Sequence, residues 1–99
     1  MDDTAALKLH VLQRLAQGSV WGGKHIPLSF VQNGLPSAYR SNRKGKKMLE
    51  KVLKELLNAG WLFIVAKRTG KSSEEHVSLN QRMVGEVYRY IEEKTKNEV

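Results

Sequence analysis

The stretch "KKMLEKVLKELLNAGWLFIVAKRTGKSSEEHVSL", residues 46–79, sets one amphipathic run against two extended ones. Leu49, Val52, Leu53, Leu56 and Leu57 recur at i, i+3, i+4, i+7 and i+8, the spacing that lines one face of a helix. The periodicity predicts a helix over 42–58, with Ser41 or Asn42 able to cap its start and Gly60 closing it. Gly45 falls on the same inward arc. It either lets another helix approach closely or marks where regular helix has yet to begin. "WLFIVAKR" follows at once, and its aromatic and β-branched residues read as a strand. "TGKSS" is a turn. "EEHVSLN" returns as a second strand, with Val77 and Leu79 alternating inward. The rest of the chain has to pack around this helix and its basic-tipped hairpin.

Upstream, "TAALKLHVLQRLA", residues 4–16, places Leu7, Val11, Leu12 and Leu15 on one helical face. Asp3 or Thr4 can cap that helix and Gly18 stops it. "SVWGGKHI" is too rich in glycine for a helix and has room for a short strand around His25. In "IPLSFVQNGLP", Pro27 suits the first position of a short helix. Leu28, Phe30 and Val31 supply its buried face, and Asn33-Gly34 ends it. Downstream, Asn80 can cap a last helix over 81–95. Val84, Val87, Tyr88 and Ile91 form its stripe, widened by Met83 and Tyr90. The closing "KTKNEV" reads as frayed. The expected core is Leu12, Leu15, Leu28, Val31, Leu49, Val52, Leu53, Leu56, Trp61, Phe63 and Val77.

The 99 residues suffice for one domain with a modest core and not for two. The absence of cysteine removes a disulfide scaffold and thiolate chemistry and fits a reducing, cytoplasmic setting. "MDDTAALKLH" is acidic and amphipathic, unlike a signal peptide. The longest apolar run, "WLFIVA", falls far short of the roughly 20 residues of a membrane span. The expected product is an intracellular, nucleoid-associated protein without membrane contact.

Net charge is +7 and the isoelectric point about 9.9. Ten Lys or Arg and two acids lie between Arg40 and Lys71, so this segment carries +8 and the remainder is slightly acidic. On the 42–58 helix, Arg43, Lys44, Lys47, Lys51 and Lys54 lie opposite the leucines, with Lys46 to one side. Glu50 and Glu55 flank the stripe, and Glu50 can pair with Lys54 one turn on. Arg40, Arg43, Lys44, Lys46 and Lys47 crowd the helix start, where the macrodipole favours acids. Lys67, Arg68 and Lys71 form a second basic cluster at the hairpin tip. An anionic partner accounts for both clusters.

The order helix, short strand, short helix, turn, helix, hairpin, helix resembles the winged helix-turn-helix family of DNA-binding domains. The resemblance runs over roughly residues 4–79 and rests on the Pro27 helix, the turn near Asn33-Gly34, the leucine-patterned helix and the hairpin "FIVAKRTGKSSEEHVSL". It departs in one place: Gly34 to Ser41 is longer than a tight helix-turn-helix connection. The resemblance implies an α+β domain whose third helix enters the major groove of double-stranded DNA while the hairpin wing meets the backbone or minor groove. It implies a transcriptional regulator without enzymatic activity or cofactor. The DNA-binding candidates are Arg40, Arg43, Lys44, Lys46, Lys47, Lys51, Lys67, Arg68 and Lys71. Arg40 and Arg43 are the better base readers, most lysines being phosphate contacts. Ser37, Ser41, Ser72 and Ser73 can donate to phosphates, and Tyr39 can stack. The final helix is expected to pair with its copy in a homodimer. The alternatives are a protein-interaction winged helix in a larger complex and an RNA-binding domain.

Other motifs carry less. "TGKSS" resembles the end of a phosphate-binding P-loop, but Val65 stands where that loop needs glycine. His10, His25 and His76 share no metal-ligand spacing, so no metal site is expected. His76 is expected to face outward on its strand.

Overall fold

The computed structural model of the chain describes residues 3–35, 37, 43–69 and 72–97. These residues form an α+β fold of four helices and a three-stranded antiparallel sheet. The chain order is α1 (Asp3–Gln17), β1 (Ile26–Pro27), α2 (Leu28–Asn33), α3 (Arg43–Asn58), β2 (Leu62–Thr69), β3 (Ser72–Leu79), a 3-10 turn at Gln81–Met83 and α4 (Val84–Asn97). The sheet order is β1–β3–β2.

The expected leucine face of α3 is buried through Leu49, Val52, Leu53 and Leu56, and Gly45 is buried with it. Because the helix already begins at Arg43, Gly45 lies inside regular helix. Leu57, at the margin of the stripe, remains 37% exposed. Against this face packs α1. It touches α2, α3, α4 and β3, so it buries more than one side, and Leu9 joins Leu7, Val11, Leu12 and Leu15 in the interior. Val20, Val31, Leu35, Leu62, Val77, Leu79 and Val87 complete the core.

Two left-handed residues end the helices. Gly60 (φ +79°) closes α3 in a Schellman motif: its N–H donates to the Leu57 carbonyl at 3.1 Å and the Trp61 N–H to that of Leu56 at 2.9 Å. The same pattern ends α1, but the left-handed position there is Ser19 (φ 54°), not Gly18. The Ser19 and Val20 amides donate to the carbonyls of Ala16 and Leu15 at 3.1 and 3.0 Å. A serine therefore holds a conformation that costs an L-residue about 1 kcal/mol.

Strand β3 is the centre of the sheet. It pairs with β2 in continuous register from Leu62↔Leu79 to Thr69↔Ser72, and with β1 through Ile26↔Val77 and Pro27↔His76. Both strands run further into "TGKSS" than the turn reading had them, and Gly70 and Lys71 lie outside the described residues. Leu79 also receives the connection after α1, its N–H donating to the Val20 carbonyl at 2.8 Å and its carbonyl accepting from Gly22 at 3.0 Å. Asn80 caps the next turn, Oδ1 accepting from the Arg82 N–H at 3.0 Å while Nδ2 donates to the Gly60 carbonyl at 2.7 Å.

Several expectations give way. Phe63 is not core: residues 62, 64 and 66 share the inward face with Val77 and Leu79, so Phe63 and Val65 stand on the outer face, about half exposed. Phe30 is exposed and carries the Arg14 guanidinium over its ring, while Arg14 Nε donates to the Phe30 carbonyl at 3.2 Å. Helix α4 continues to Asn97, and its described part includes a Lys96–Glu92 ion pair one turn apart. It docks on α1 through Val87, Tyr90 and Ile91 and leaves Val84 and Tyr88 exposed. Trp61 fills the expected structural role, half-buried edge-on against Tyr90, with the Lys8 ammonium over both rings. Trp21 is half-buried and leans on Tyr88.

Ser19→Gly is expected to stabilise the fold by about 0.5–1 kcal/mol, because glycine adopts the left-handed region without a Cβ penalty. Thermal unfolding followed by circular dichroism checks this, with a midpoint about 3–6 °C higher than that of the parent chain.

Candidate nucleic-acid interface

The packing of α3 fixes what it offers to solvent. With its leucines against α1, the opposite arc of ~100° carries Arg43, Lys44, Lys47, Lys51 and Lys54. All five are exposed, as is Lys46 on the flank. From Arg43 to Lys54 the stripe runs about 16 Å along the axis. Among the described residues the ion pairs are His76–Glu74 and Lys96–Glu92, and neither involves an α3 cation. The first turn of α3 contains no acid, so the cations there add to the positive end of the helix dipole.

The hairpin contributes by position. Lys67 and Arg68 stand at the far end of β2, in register with Glu74 and Ser73 of β3. Their side chains, together with Arg40 and Lys71, lie outside the described residues, as do Tyr39 and Ser41. The candidate set thus divides into five α3 residues brought onto one outward surface (Arg43, Lys44, Lys46, Lys47 and Lys51) and four whose side-chain placement is undescribed. Lys54, absent from that set, belongs to the same stripe.

Between the flank of α3, helix α2 and the inner face of the hairpin lies an open groove of about 590 Å³. Leu28, Leu49, Leu53, Leu57 and Ile64 provide its apolar lining, and Lys46, Lys54, Glu50 and Glu75 its charged border. Two cations and two acids balance there, so the groove does not select for charge, in contrast to the stripe beside it.

One polar cluster escaped sequence reasoning. His25 Nδ1 and His76 Nδ1 lie 2.8 Å apart, both rings half-buried and edge-on. One ring donates and the other accepts, tying the start of β1 to β3. His76 is therefore turned toward β1 rather than into solvent. The Glu74 carboxylate lies 3.8 Å from His76 Nε2, on the other side of the ring from Nδ1. The three groups do not converge on one point, and among the described residues no trio of His, Asp or Glu can hold a metal ion. Nothing in the spacing of His25 and His76, 51 residues apart, signals this contact.

No helix among the described residues is long and apolar enough to cross a membrane. No protein-family model matches this chain, and no curated protein is significantly similar to it.

The cations at the start of α3 oppose the helix dipole. Lys44→Glu is expected to raise stability by about 0.5 kcal/mol at low ionic strength. The gain shrinks as salt screens the dipole, which urea titrations at two salt concentrations measure.

Proposed function

We propose that this chain is a winged helix-turn-helix protein that binds double-stranded DNA and acts as a transcriptional regulator. In this reading α3 enters the major groove and the β2–β3 hairpin, the wing, runs along the backbone or the adjacent minor groove. The observation that carries the reading is the single-signed face of α3: five exposed cations, opposite the buried leucines, with none of them in an ion pair among the described residues. A lone lysine-rich helix face is commonplace, but this one begins where cations cost helix stability. A phosphate arriving at that end reverses the cost, since it meets the cations and the positive end of the helix dipole together.

Dimensions agree with the assignment. A helix with its side chains is about 10–12 Å across and the major groove about 12 Å wide. The described cations of α3 would act mostly on phosphates and set register. Arg43 stands at the end of the helix that meets base edges in this arrangement, and Arg40 precedes it by three positions in the sequence. Double-stranded DNA is favoured over a protein partner because the stripe is uniformly cationic. The neighbouring groove, apolar and charge-balanced, favours the second reading, in which the same fold docks into a larger protein assembly.

A salt series on duplex DNA tests the reading. With four to five phosphates neutralised, log K should fall against log [salt] with a slope of about −4. Arg43→Glu with Lys47→Glu should weaken binding at least roughly a hundredfold near 0.1 M salt and make the slope shallower by about two, with the thermal midpoint little changed. A salt-independent interaction, or a preference for structured RNA over duplex, would overturn it.

A further inference from the structure

We infer that the exposed start of α3 selects guanine, so that the preferred duplex presents G·C pairs to it; the inference rests on the reading that α3 enters the major groove. Position narrows the residues first. The buried Leu49, Val52, Leu53 and Leu56 define one side of α3, and at about 100° per residue Lys47 falls within about 10° of the line directly opposite. Arg43 and Lys44 lie about 50° to either side of that line, one turn nearer the N-terminus. All three are exposed, and none is in an ion pair among the described residues. In this docking geometry the N-terminal residues of the helix meet base edges. Arg43, whose planar fork matches a base edge, and Lys47, on the line itself, therefore face the bases. The other lysines fall to the phosphates on either side.

Donor chemistry then selects the base. Arg and Lys carry N–H donors alone and no acceptor. On its major-groove edge guanine offers two acceptors side by side, a ring nitrogen and the carbonyl oxygen, and either side chain can satisfy both. Adenine keeps the ring nitrogen but sets an amino donor where guanine has its carbonyl, and a guanidinium or ammonium leaves that donor unpaired. Cytosine also presents an amino donor, and thymine one acceptor beside a methyl group that calls for an apolar contact. A helix that reads adenine needs Asn or Gln, and one that reads thymine needs an apolar or Thr side chain. The first exposed residues of either kind in α3 are Leu57 and Asn58, about 20 Å along the axis from Arg43 and at the far end of the helix. The carboxylates of Glu50 and Glu55 stand about 70° off the line on opposite sides, both C-terminal to Lys47. Where this helix meets bases, its described side chains are donors alone.

Charge without donor geometry leads to the opposite preference. A narrow A·T minor groove concentrates negative potential and draws Arg and Lys into it. A chain held chiefly by Lys67 and Arg68, at the end of the β2–β3 hairpin, would therefore favour A·T duplexes. The two elements thus call for different base composition, and composition reports which of them reads.

Fluorescence anisotropy of the full chain on duplexes of equal length, at one fixed salt concentration, tests the inference. The duplexes are G·C-rich, A·T-rich, and G·C-rich with either 7-deazaguanine or hypoxanthine in place of guanine. The first analogue removes the ring-nitrogen acceptor from the major groove, and the second removes the amino group from the minor groove. The G·C duplex should bind at least roughly tenfold more tightly than the A·T duplex. 7-Deazaguanine should erase most of that difference, and hypoxanthine should leave it in place. Arg43→Gln and Lys47→Gln, both at exposed positions, should each narrow the preference, because Gln pairs with adenine, and make the salt slope shallower by about one. Equal affinity for the G·C and A·T duplexes, or tighter binding to A·T, overturns the inference, and a retained salt slope leaves the DNA reading standing. A preference lost with hypoxanthine and kept with 7-deazaguanine also overturns it, because the contact then lies in the minor groove. Absence of any salt-dependent duplex binding overturns both.

Discussion

The rotational setting of α3 governs everything this chain presents to its surroundings. Four of its apolar residues are buried against α1 and the sheet, and a helix with one face so committed has no choice about the other. Turning α3 by a quarter would bury lysines and expose leucines. The apolar face that secures the fold thus also sets the direction of the cationic one. The Schellman closure at Gly60 carries the constraint onward. It turns the chain directly into β2, so the hairpin leaves the end of α3 at a fixed place and its basic end cannot be positioned independently of the helix.

Strand β3 is the second organising element. It accepts β2 along its whole length, β1 through two residue pairs, and the α1–β1 connection through Leu79. The His25–His76 contact and the bond from Ser78 Oγ to the Gly22 carbonyl at 2.8 Å tie the same strand to the chain ahead of β1. The β1 side of the sheet is therefore densely secured, and β2 forms its other edge. The cations of α3 suit a polyanion.

Much of the fold was legible because it is written in local periodicity. The leucines of α3, the alternation of Val77 and Leu79 and the capping role of Asn80 each depend on neighbours a few positions away. Long-range and geometric facts were not legible. Leu9 is buried because α1 is covered on several sides, which its own stripe does not reveal. Phe63 is hydrophobic and adjacent to the core strand, yet the parity of the β2–β3 register sends it outward. Phe30 has the right composition for a core residue, but its helix is six residues long and it stacks on Arg14 instead. Gly18 was the natural helix stop, and only the backbone angles reveal that Ser19 takes the left-handed position. For the candidate site, charge clustering and helical geometry pointed to one stripe on α3, and its cations are exposed opposite the buried leucines. The hairpin cations were assigned by proximity in sequence, and their register against β3 supplies position alone.

The most direct test of the central claim is residue-level mapping of the surface that meets DNA. Backbone amide resonances of the full chain, followed during titration with a short duplex at low salt, provide it. The account predicts that the largest shifts fall on residues 43–54 of α3, with a second group at the end of β2, and that the shifts vanish on adding salt. Shifts centred on α1, on the C-terminal half of α4 or on the outer face of the sheet, with α3 unchanged, would contradict it.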